Sequence, residues 1–332
     1  MARMSFDPNT GTQKQPDEPD AMILGRYRPR FDWQLRSRTL SLGERTRFMA
    51  IINLTPDSFS GDGHLRSRGD APVTTAAGAK LAVAAAIEAV DGGADIVDLG
   101  AESTRPDATP ISAEEEQLRL LPVLERLLME RPQAVVSVDT YHASTARAAA
   151  LTGAEIINDV SGLTWDDAMA DIVAQSGCGL VLMHARGRPT EWQSQPRLEK
   201  CEVVPNVFAG LCEQMMQAEA AGIGAERIVV DPGFGFGKRG AENFVLLARL
   251  KRLRELGRPV LIGLSRKGFL GEAVRLVQDK DLPAAAARQI ATEAAHVAAI
   301  LSGAHILRVH DLQAAREAGA IADAVLLQSW DS

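Results

Sequence analysis

Acidic and amide side chains follow several short apolar runs of this sequence. Asp139, Asn158 and Asp231 each come directly after such a run. Charge-assisted hydrogen bonds are stronger than neutral ones, and carboxylate oxygens accept readily from N–H donors. The set therefore suits the edge of a flat heterocycle that carries both donors and acceptors. For Asp139 or Asn158 taken alone, capping of the following helix is the simpler interpretation.

Basic side chains occupy comparable places in the same series. Arg308 and His310 end the last apolar run. Arg105 follows the second run, and Asn53 ends the first. Guanidinium groups bind phosphate oxygens through paired hydrogen bonds, so these residues suit a phosphate group. Lys267 follows the seventh run and could serve either the heterocycle or the phosphate.

One segment is rich in glycine. Residues 233–238 read GFGFGK, which matches neither a Walker loop nor a dinucleotide-binding fingerprint. Glycine tolerates backbone angles that other residues avoid, so a tight turn here would let the main chain approach a ligand closely. A purely structural turn is equally consistent with the sequence.

The elements that must position these residues alternate along the chain. The apolar runs are predicted strands, at residues 48–52, 94–99, 134–138, 155–157, 179–183, 228–230, 259–264 and 306–309. Amphipathic stretches between them are predicted helices and include 76–91, 113–130, 143–151 and 292–301. About eight β/α units predict an α/β fold, the (β/α)8 TIM barrel, with its active site at the carboxyl ends of the strands. A doubly wound open sheet would give the same alternation.

The amino-terminal region differs from this pattern. Residues 1–22 are rich in Pro, Asp, Gln and Thr, and we predict a disordered tail over residues 1–27. Residues 28–332 are then a single barrel domain. Phe31, Trp33 and Leu35 alternate with polar residues before a turn at 42–44, which predicts a β-hairpin that feeds the first barrel strand. We expect the hairpin to cover the barrel floor.

Composition limits the class of protein and its partners. A chain of 332 residues with 46% hydrophobic residues can build one large core. The net charge of −7 argues against a nucleic-acid partner, and the absence of a long apolar run argues against a membrane span. The polar N-terminus has no signal-peptide pattern, and Cys178, Cys201 and Cys212 have no disulfide or zinc spacing. These features predict a cytoplasmic protein with free thiols.

Eight segments resemble the motif series of the dihydropteroate synthase family. In chain order they read MAIINLTPDSFSGDG, DLGAESTRP, SVDTY, IINDVSG, LMHARGRP, DPGFGFGK, GLSRKGFLG and RVHDL, and they span roughly residues 48–312. The opening motif, ESTRP and SRK are the specific ones. The resemblance implies a TIM-barrel transferase of folate biosynthesis. It would join 6-hydroxymethyl-7,8-dihydropterin pyrophosphate to p-aminobenzoate and release pyrophosphate.

The resemblance also implies a role for each matching residue. The pterin-binding positions are Asp139, Asn158, Met183, Asp231 and Lys267. The pyrophosphate-binding positions are Asn53, Arg308 and His310, with Mg²⁺ bridging the phosphates and Asn53. The positions near p-aminobenzoate are Phe59, Thr104, Arg105 and Gly268, the last where many members carry Ser. The implied catalytic residues are Asp139, Lys267, Arg308 and His310.

The implied chemistry is a dissociative substitution. Pyrophosphate leaves the pterin methylene carbon, and the arylamine attacks the resulting cation, so the protein's task is electrostatic. The family pattern further implies a homodimer and a p-aminobenzoate pocket that sulfonamides can enter. The alanine-rich helix at residues 284–301 is either a dimer contact or a helix that only packs on the barrel, and the family pattern favours the dimer contact.

Two alternative functions share the pterin-binding pattern. A pterin-binding methyltransferase would have the same barrel but no use for a pyrophosphate site, so Arg105, Lys267, Arg308 and His310 favour the synthase. A paralogue that binds pterin without catalysis is the second alternative, and Gly268 is the residue that keeps it open. Pyrophosphate release in the presence of p-aminobenzoate would distinguish the synthase from both alternatives.

Overall fold

The computed structural model describes residues 28–55, 76–103, 108–275 and 284–328. The predicted tail over residues 1–27 lies outside the described residues, as do Phe59, Thr104 and Arg105. Within the described ranges, no helix is both long and apolar enough to span a bilayer. The three cysteines are free thiols, as predicted.

In the part of the chain that the structure describes, eight parallel strands form the central sheet. They are β3 (Arg47–Asn53), β4 (Ile96–Gly100), β5 (Val136–Asp139), β6 (Ile156–Asp159), β7 (Gly179–Met183), β8 (Ile228–Asp231), β9 (Leu261–Ile262) and β10 (Ile306–Val309). The hydrogen-bonded order is β8-β7-β6-β5-β4-β3-β10-β9, and a parallel bridge between Val230 and Val260 joins the two ends. The sheet is therefore a closed barrel, which confirms the predicted fold and excludes the open sheet.

Helices follow the strands and cover the barrel. They are α1 (Ala76–Asp91), α2 (Ala113–Glu130), α3 (Ala143–Thr152), α4 (Met169–Ser176), α5 (Val203–Ala220), α6 (Ala241–Ala248), α7 (Gly268–Val274), α8 (Ala284–Leu301) and α9 (Leu312–Leu327). The start of α2 shows why the sequence marks these bounds so clearly. The Ser112 hydroxyl accepts from the Glu115 N–H at 3.3 Å, and acidic residues fill the first turn, where the helix dipole favours them.

An antiparallel hairpin of β1 (Phe31–Gln34) and β2 (Thr39–Leu42) precedes the barrel. Its tight turn lies at residues 35–38, where the Leu35 N–H donates to the Arg38 carbonyl at 2.8 Å. The predicted turn at 42–44 instead joins the hairpin to β3. It needs glycine at position 43, because φ is +109° and a Cβ would lie 2.3 Å from the Pro29 carbonyl oxygen.

The hairpin covers the floor, meaning the end of the barrel formed by the amino ends of its strands. The hairpin side chains Trp33, Leu35 and Leu42 are buried in one apolar cluster with residues of the barrel strands. Most strands contribute one inward-pointing residue near their start to this cluster. Those inward residues are Met49, Ile96, Ile156, Val181, Val229, Leu261 and Ile306. The Trp33 indole also donates to the Arg227 carbonyl at 2.8 Å. This confirms the expectation that the hairpin closes the floor.

A polar network of Arg28, Thr46 and Asp323, which we call the floor network, connects the hairpin region to the last helix. Arg28 is 3% exposed and donates to Thr46 Oγ1 and the Ala304 carbonyl at 2.9 Å, and to Asp323 Oδ1 at 3.0 Å. Asp323 accepts in turn from the Thr46 N–H at 2.7 Å. These residues are far apart in sequence, so their bonds hold the two chain ends of the domain together.

Candidate active site

On four of the strands, the inward face of the barrel changes from apolar to polar within one step. Side chains of a strand alternate between its two faces, so a residue two positions after a floor residue points inward one layer higher. The positions two after Ile96, Ile156, Val229 and Ile306 are Asp98, Asn158, Asp231 and Arg308. Asp139 pairs with Asn158 in register on the neighbouring strand. Five strands thus place a polar side chain at the mouth, the end of the barrel opposite the floor.

Arg308 lies at the centre of these groups. Its Nε donates to Asp98 Oδ2 and its Nη2 to Asp139 Oδ2, both at 2.6 Å. Asn158 Nδ2 also donates to Asp98 Oδ2, at 3.2 Å. We call Asp98, Asp139, Asn158, Asp231, Lys267 and Arg308 the mouth cluster. One guanidinium therefore bridges two carboxylates from different strands.

Asp98 is a member of this cluster to which the sequence analysis assigned no role. It is fully buried, and its second oxygen, Oδ1, has no hydrogen-bond partner among the described groups. Leaving a buried carboxylate oxygen unpaired costs free energy. Asp98 is therefore placed to contact a polar group rather than to pack against apolar side chains. The available signal was an acid inside an otherwise apolar strand, two residues after Ile96.

Asp139 does not cap a helix, so the capping interpretation is wrong for this residue. The cap residue of α3 is His142, which makes no side-chain cap bond, whereas Asp139 binds Arg308. Burial raises the pKa of Asp139 to about 7, even though Arg308 acts in the opposite direction. A strand-end acid that does cap is Asp311, which accepts from the Ala314 N–H at 3.0 Å at the start of α9.

Asp231 faces the same space from the opposite side of the barrel. It is 6% exposed, and its Oδ1 accepts from the Gly233 N–H at 2.7 Å, which shapes the following turn. Burial raises the pKa of its carboxyl group. Met183 is 3% exposed and pairs with Asp231 in register on the adjacent strand. The site therefore combines an acid and an apolar wall on this side.

Lys267 approaches the cluster from the turn before α7. Its ammonium lies 3.9 Å from the ring centroid of Phe236, a cation–π contact. Burial lowers the pKa of Lys267 to about 8, while the negative charge of Asp231 opposes the shift. The glycine-rich segment 233–238 supplies Phe236, and Gly235, at φ +83°, passes close enough for a Cβ to touch the lysine side chain. Its glycines thus bring the main chain against a mouth residue.

The remaining predicted residues lie at the rim. Asn53 is an exposed residue at the end of β3, next to β10 in the sheet. His310 follows β10, and its Nδ1 lies 3.0 Å from Ser265 Oγ. Gly268 is exposed directly after Lys267, and a Cβ there would meet nothing within 4 Å. The rim thus carries an amide oxygen and an imidazole above the buried acids.

The geometry links two residues for which the sequence analysis predicted separate roles. Arg308 was assigned to the pyrophosphate and Asp139 to the heterocycle, yet the two side chains share a 2.6 Å ion pair. The two groups of residues are therefore joined by a direct bond. A change at Arg308 must therefore affect the acid that was expected to act separately.

Comparisons with known proteins identify the family of this chain. Residues 49–310 match the family described as pterin binding enzymes. The chain belongs to this pterin-binding family, and several of the relatives that it matches are dihydropteroate synthases. The Escherichia coli dihydropteroate synthase is 37% identical over 278 residues, which are 84% of this chain and 91% of that protein.

Two solved structures show the likeness of the whole fold. Xanthomonas albilineans dihydropteroate synthase with 4-aminobenzoic acid is 40% identical, with a TM-score of 0.74, and the match covers 90% of this chain and 98% of that one. The Yersinia pestis enzyme with a sulfonamide is 34% identical, with a TM-score of 0.76, over 89% of this chain and 99% of that one.

The plant relatives are longer proteins. The mitochondrial folate synthesis bifunctional protein of Pisum sativum is 39% identical over 300 residues, which are 87% of this chain. The match covers 55% of the pea protein, so this chain spans about half the length of that relative.

Proposed function

We propose that this chain catalyses the dihydropteroate synthase reaction, the condensation of 6-hydroxymethyl-7,8-dihydropterin pyrophosphate with p-aminobenzoate. The observation that carries the proposal is the mouth cluster, in which buried carboxylates, an amide, a lysine and an arginine converge. A further solved relative, from Xanthomonas albilineans, is a dihydropteroate synthase in complex with 7,8-dihydropteroate. Its 38% identity supports the same product for this chain.

The ring would be held by the acids and the amide. Asp139 and Asp231 can accept from the N–H donors of the aminopyrimidine edge, and Asn158 can both donate and accept. Met183 supplies an apolar surface beside Asp231. Because Asp139 is already bonded to Arg308, binding of the ring would replace or share that ion pair.

The pyrophosphate would be held by Arg308 of the mouth cluster together with His310 and Asn53 at the rim. The described residues contain no group of three or more His, Cys, Asp or Glu side chains placed to hold a metal. A single amide oxygen nevertheless fits Mg²⁺, which often takes one or two protein ligands and completes its shell with phosphates and water. We propose that Asn53 holds Mg²⁺ there, and the bound ion would neutralise phosphate charge as the leaving group departs.

The chain's own residues would stabilise charge as the carbon–oxygen bond breaks. Arg308 can donate to the departing pyrophosphate, and Asp139 and Asp231 can stabilise the positive charge that spreads over the ring. Lys267, with its pKa of about 8, can be positive before the reaction and can also exchange a proton near neutral pH. The arylamine then attacks the methylene carbon, and the proton that its nitrogen loses passes to the released pyrophosphate or to water.

The second substrate would bind outside the pterin, beside Lys267 and Gly268. We propose that Phe59, Thr104 and Arg105 complete this subsite. Sulfonamides would enter the same place because they resemble p-aminobenzoate in shape and charge. The sulfonamide complex of the Yersinia pestis relative supports this part of the proposal.

A pyrophosphate-release assay tests the proposal directly. The pterin pyrophosphate is supplied with Mg²⁺, with p-aminobenzoate present or omitted, and dihydropteroate is measured by chromatography. We expect dihydropteroate and pyrophosphate in equal amounts only when every component is present. Methyl transfer from a methylated folate, with no pyrophosphate released, would contradict the proposal and favour a methyltransferase.

We also propose that the chain is a cytoplasmic homodimer. Helices α8 and α9 pack together, and Ile290 and Ile321 are 65% and 66% exposed on their outer surfaces. Exposed apolar side chains on adjacent helices suit a contact with a second copy. Light scattering of the purified chain, compared with an Ile321→Glu variant, would show a dimer that the substitution weakens.

A further inference from the structure

Lys238, at the end of the glycine-rich turn, is a buried cation that the proposed reaction does not use. Its side chain is 2% exposed, and its ammonium donates to the carbonyls of Gly233 at 2.8 Å, His184 at 3.0 Å and Phe236 at 3.2 Å. Within the described part of the chain it forms no ion pair. Burial lowers its pKa to about 7, although Asp231 opposes the shift. Burying a lysine in this way costs free energy, so its presence here needs an explanation.

The three carbonyls belong to two different loops. His184 follows β7, directly after the pocket residue Met183, whereas Gly233 and Phe236 follow β8 and Asp231. The ammonium therefore joins the ends of two neighbouring strands at a single point. Its three N–H donors match three acceptors, which leaves no donor over for a ligand.

The turn that Lys238 closes is the one that contacts Lys267. The carbonyl of Phe236 binds the Lys238 ammonium, and the ring of Phe236 lies 3.9 Å from the Lys267 ammonium. The same ring meets Trp192 edge to face, at 5.0 Å between centroids. Asn243 holds the turn from outside, accepting from the Gly235 N–H at 2.8 Å and donating to the Lys238 carbonyl at 3.0 Å.

We propose that Lys238 is a positioning residue for the mouth cluster: its buried ammonium fixes Phe236 against Lys267 by gathering the His184, Gly233 and Phe236 carbonyls. The inference rests on the proposed function only for its effect on turnover. If the ammonium is lost, three buried carbonyls turn away from one another or admit water. Phe236 then moves, and the amine of Lys267 loses the surface that orients it.

Chemical rescue separates positioning from simple stability. Lys238→Ala removes three methylenes and the amine, which together have the size of propylammonium. We expect kcat for pyrophosphate release to fall about a hundredfold, the usual cost of displacing a reacting group by about 1 Å. Propylammonium at millimolar concentration should restore at least a tenth of the lost rate. Equal concentrations of 1-propanol or tetramethylammonium should restore much less.

Two variants serve as controls. Lys238→Met keeps most of the side-chain volume without the charge, so it should lose the same activity and resist rescue because the space is filled. Lys251→Ala removes an exposed lysine outside the turn and should leave activity unchanged. Wild-type rates for Lys238→Met would overturn the proposal, as would a folded Lys238→Ala that propylammonium cannot rescue. Loss of the folded barrel in both Lys238 variants would assign the residue to folding instead.

A spectroscopic experiment tests the position of Phe236 without any substrate. In protein labelled with 5-fluorotryptophan, the Trp192 resonance, assigned with Trp192→Phe, should shift in Lys238→Ala and return when propylammonium is added. An unchanged resonance would contradict the inference even if activity falls. If wild-type protein releases no pyrophosphate, the proposed function fails, and the fluorine spectrum still decides the role of Lys238.

Discussion

The two ends of the barrel differ in whether their buried charged groups find all their hydrogen-bond partners within the protein. At the floor, Arg28 uses Nε and both Nη atoms on main-chain, hydroxyl and carboxylate acceptors. At the mouth, Arg308 bridges Asp98 and Asp139, yet Asp98 keeps one buried oxygen without a partner among the described groups. Both arrangements hold an arginine against an aspartate, but only the floor network satisfies its groups within the protein.

The difference shows where binding free energy can come from. A satisfied network gains little from any ligand, because each polar group already has a partner. The mouth holds acids whose pKa values are raised by burial and a lysine whose pKa is lowered, so its charges are poorly solvated before a ligand arrives. A charged ligand can supply the missing partners. Substitutions at the mouth and at the floor therefore test the comparison, because the first should lower activity and the second should lower stability.

The largest effect is expected for Arg308→Ala. This change leaves Asp98 and Asp139 close together without their shared cation, and an unpaired buried charge costs about 3–5 kcal/mol. We expect kcat/KM to fall by about a thousandfold or more, and affinity for the bare hydroxymethyl pterin to change as well. Calorimetry with the bare pterin and with its pyrophosphate measures both effects. Unchanged affinity for the bare ring would show that the two subsites act independently despite the ion pair.

Arg28→Ala should cost a comparable free energy, but it should lower the stability of the fold instead of the activity. Asp323 and the Thr46 hydroxyl lose their buried partner, so the free energy of unfolding should fall by about 3–5 kcal/mol. Urea unfolding measures this loss, and kcat of the folded fraction at low temperature should remain close to wild type. A large fall in kcat without loss of stability would contradict the separation of floor and mouth.

Asp231→Ala should weaken binding of the bare pterin by about ten- to a hundredfold, since a hydrogen bond to a charged group contributes about 1.5–3 kcal/mol. Asp311→Ala is the matched control, because it removes another strand-end acid that only caps a helix. That variant should lose about 1 kcal/mol of stability and keep its pterin affinity. Equal losses of affinity in both variants would mean that strand-end position, and not the mouth cluster, determines binding.

Affinity for the bare pterin should depend on pH near neutrality. The raised pKa of Asp139, about 7, means that the carboxylate needed for the ring forms only as the pH rises from about 6 to 8. Affinity should increase over that range, and Asp139→Asn should remove most of the dependence. Calorimetry at several pH values measures it, and an equal slope in the variant would assign the titration to another group.

The floor should respond to acid instead. His305 is 1% exposed, its Nδ1 accepts from the Val260 N–H at 3.1 Å, and burial lowers its pKa to about 3. Unfolded histidine takes up a proton below about pH 6.5, so the stability that the neutral ring contributes is present above that pH. It is lost as the pH falls from about 6.5 towards 3. The mouth and the floor thus titrate in different ranges.

The smallest effect is expected for Gly268→Ser. A Cβ at this exposed position meets nothing within 4 Å, so the fold should not change. One added hydrogen bond to the p-aminobenzoate carboxylate contributes about 0.5–1.5 kcal/mol, so KM for that substrate should fall about two- to tenfold. Initial rates at varied p-aminobenzoate measure this, with KM for the pterin pyrophosphate as the internal control. An unchanged KM would place the carboxylate elsewhere.

Local sequence determined the elements and the end of the barrel at which chemistry gathers. Residues 179–183 and 306–309 are strands at the predicted bounds, and 76–91 and 113–130 are helices at the predicted bounds. Periodicity and capping are local properties, so one sequence suffices to find them. The polar residues after the strands converge because parallel strands in a closed barrel end at one face.

Only the tertiary structure decided which of those residues touch. Arg308 is 210 residues from Asp98 and 169 from Asp139, and no local pattern encodes that one guanidinium bridges them. The same holds for Lys238, which looks like the last residue of a turn and proves to gather carbonyls from two loops. Side-chain pairing depends on barrel closure and on burial, which the chain acquires only when all eight strands have met.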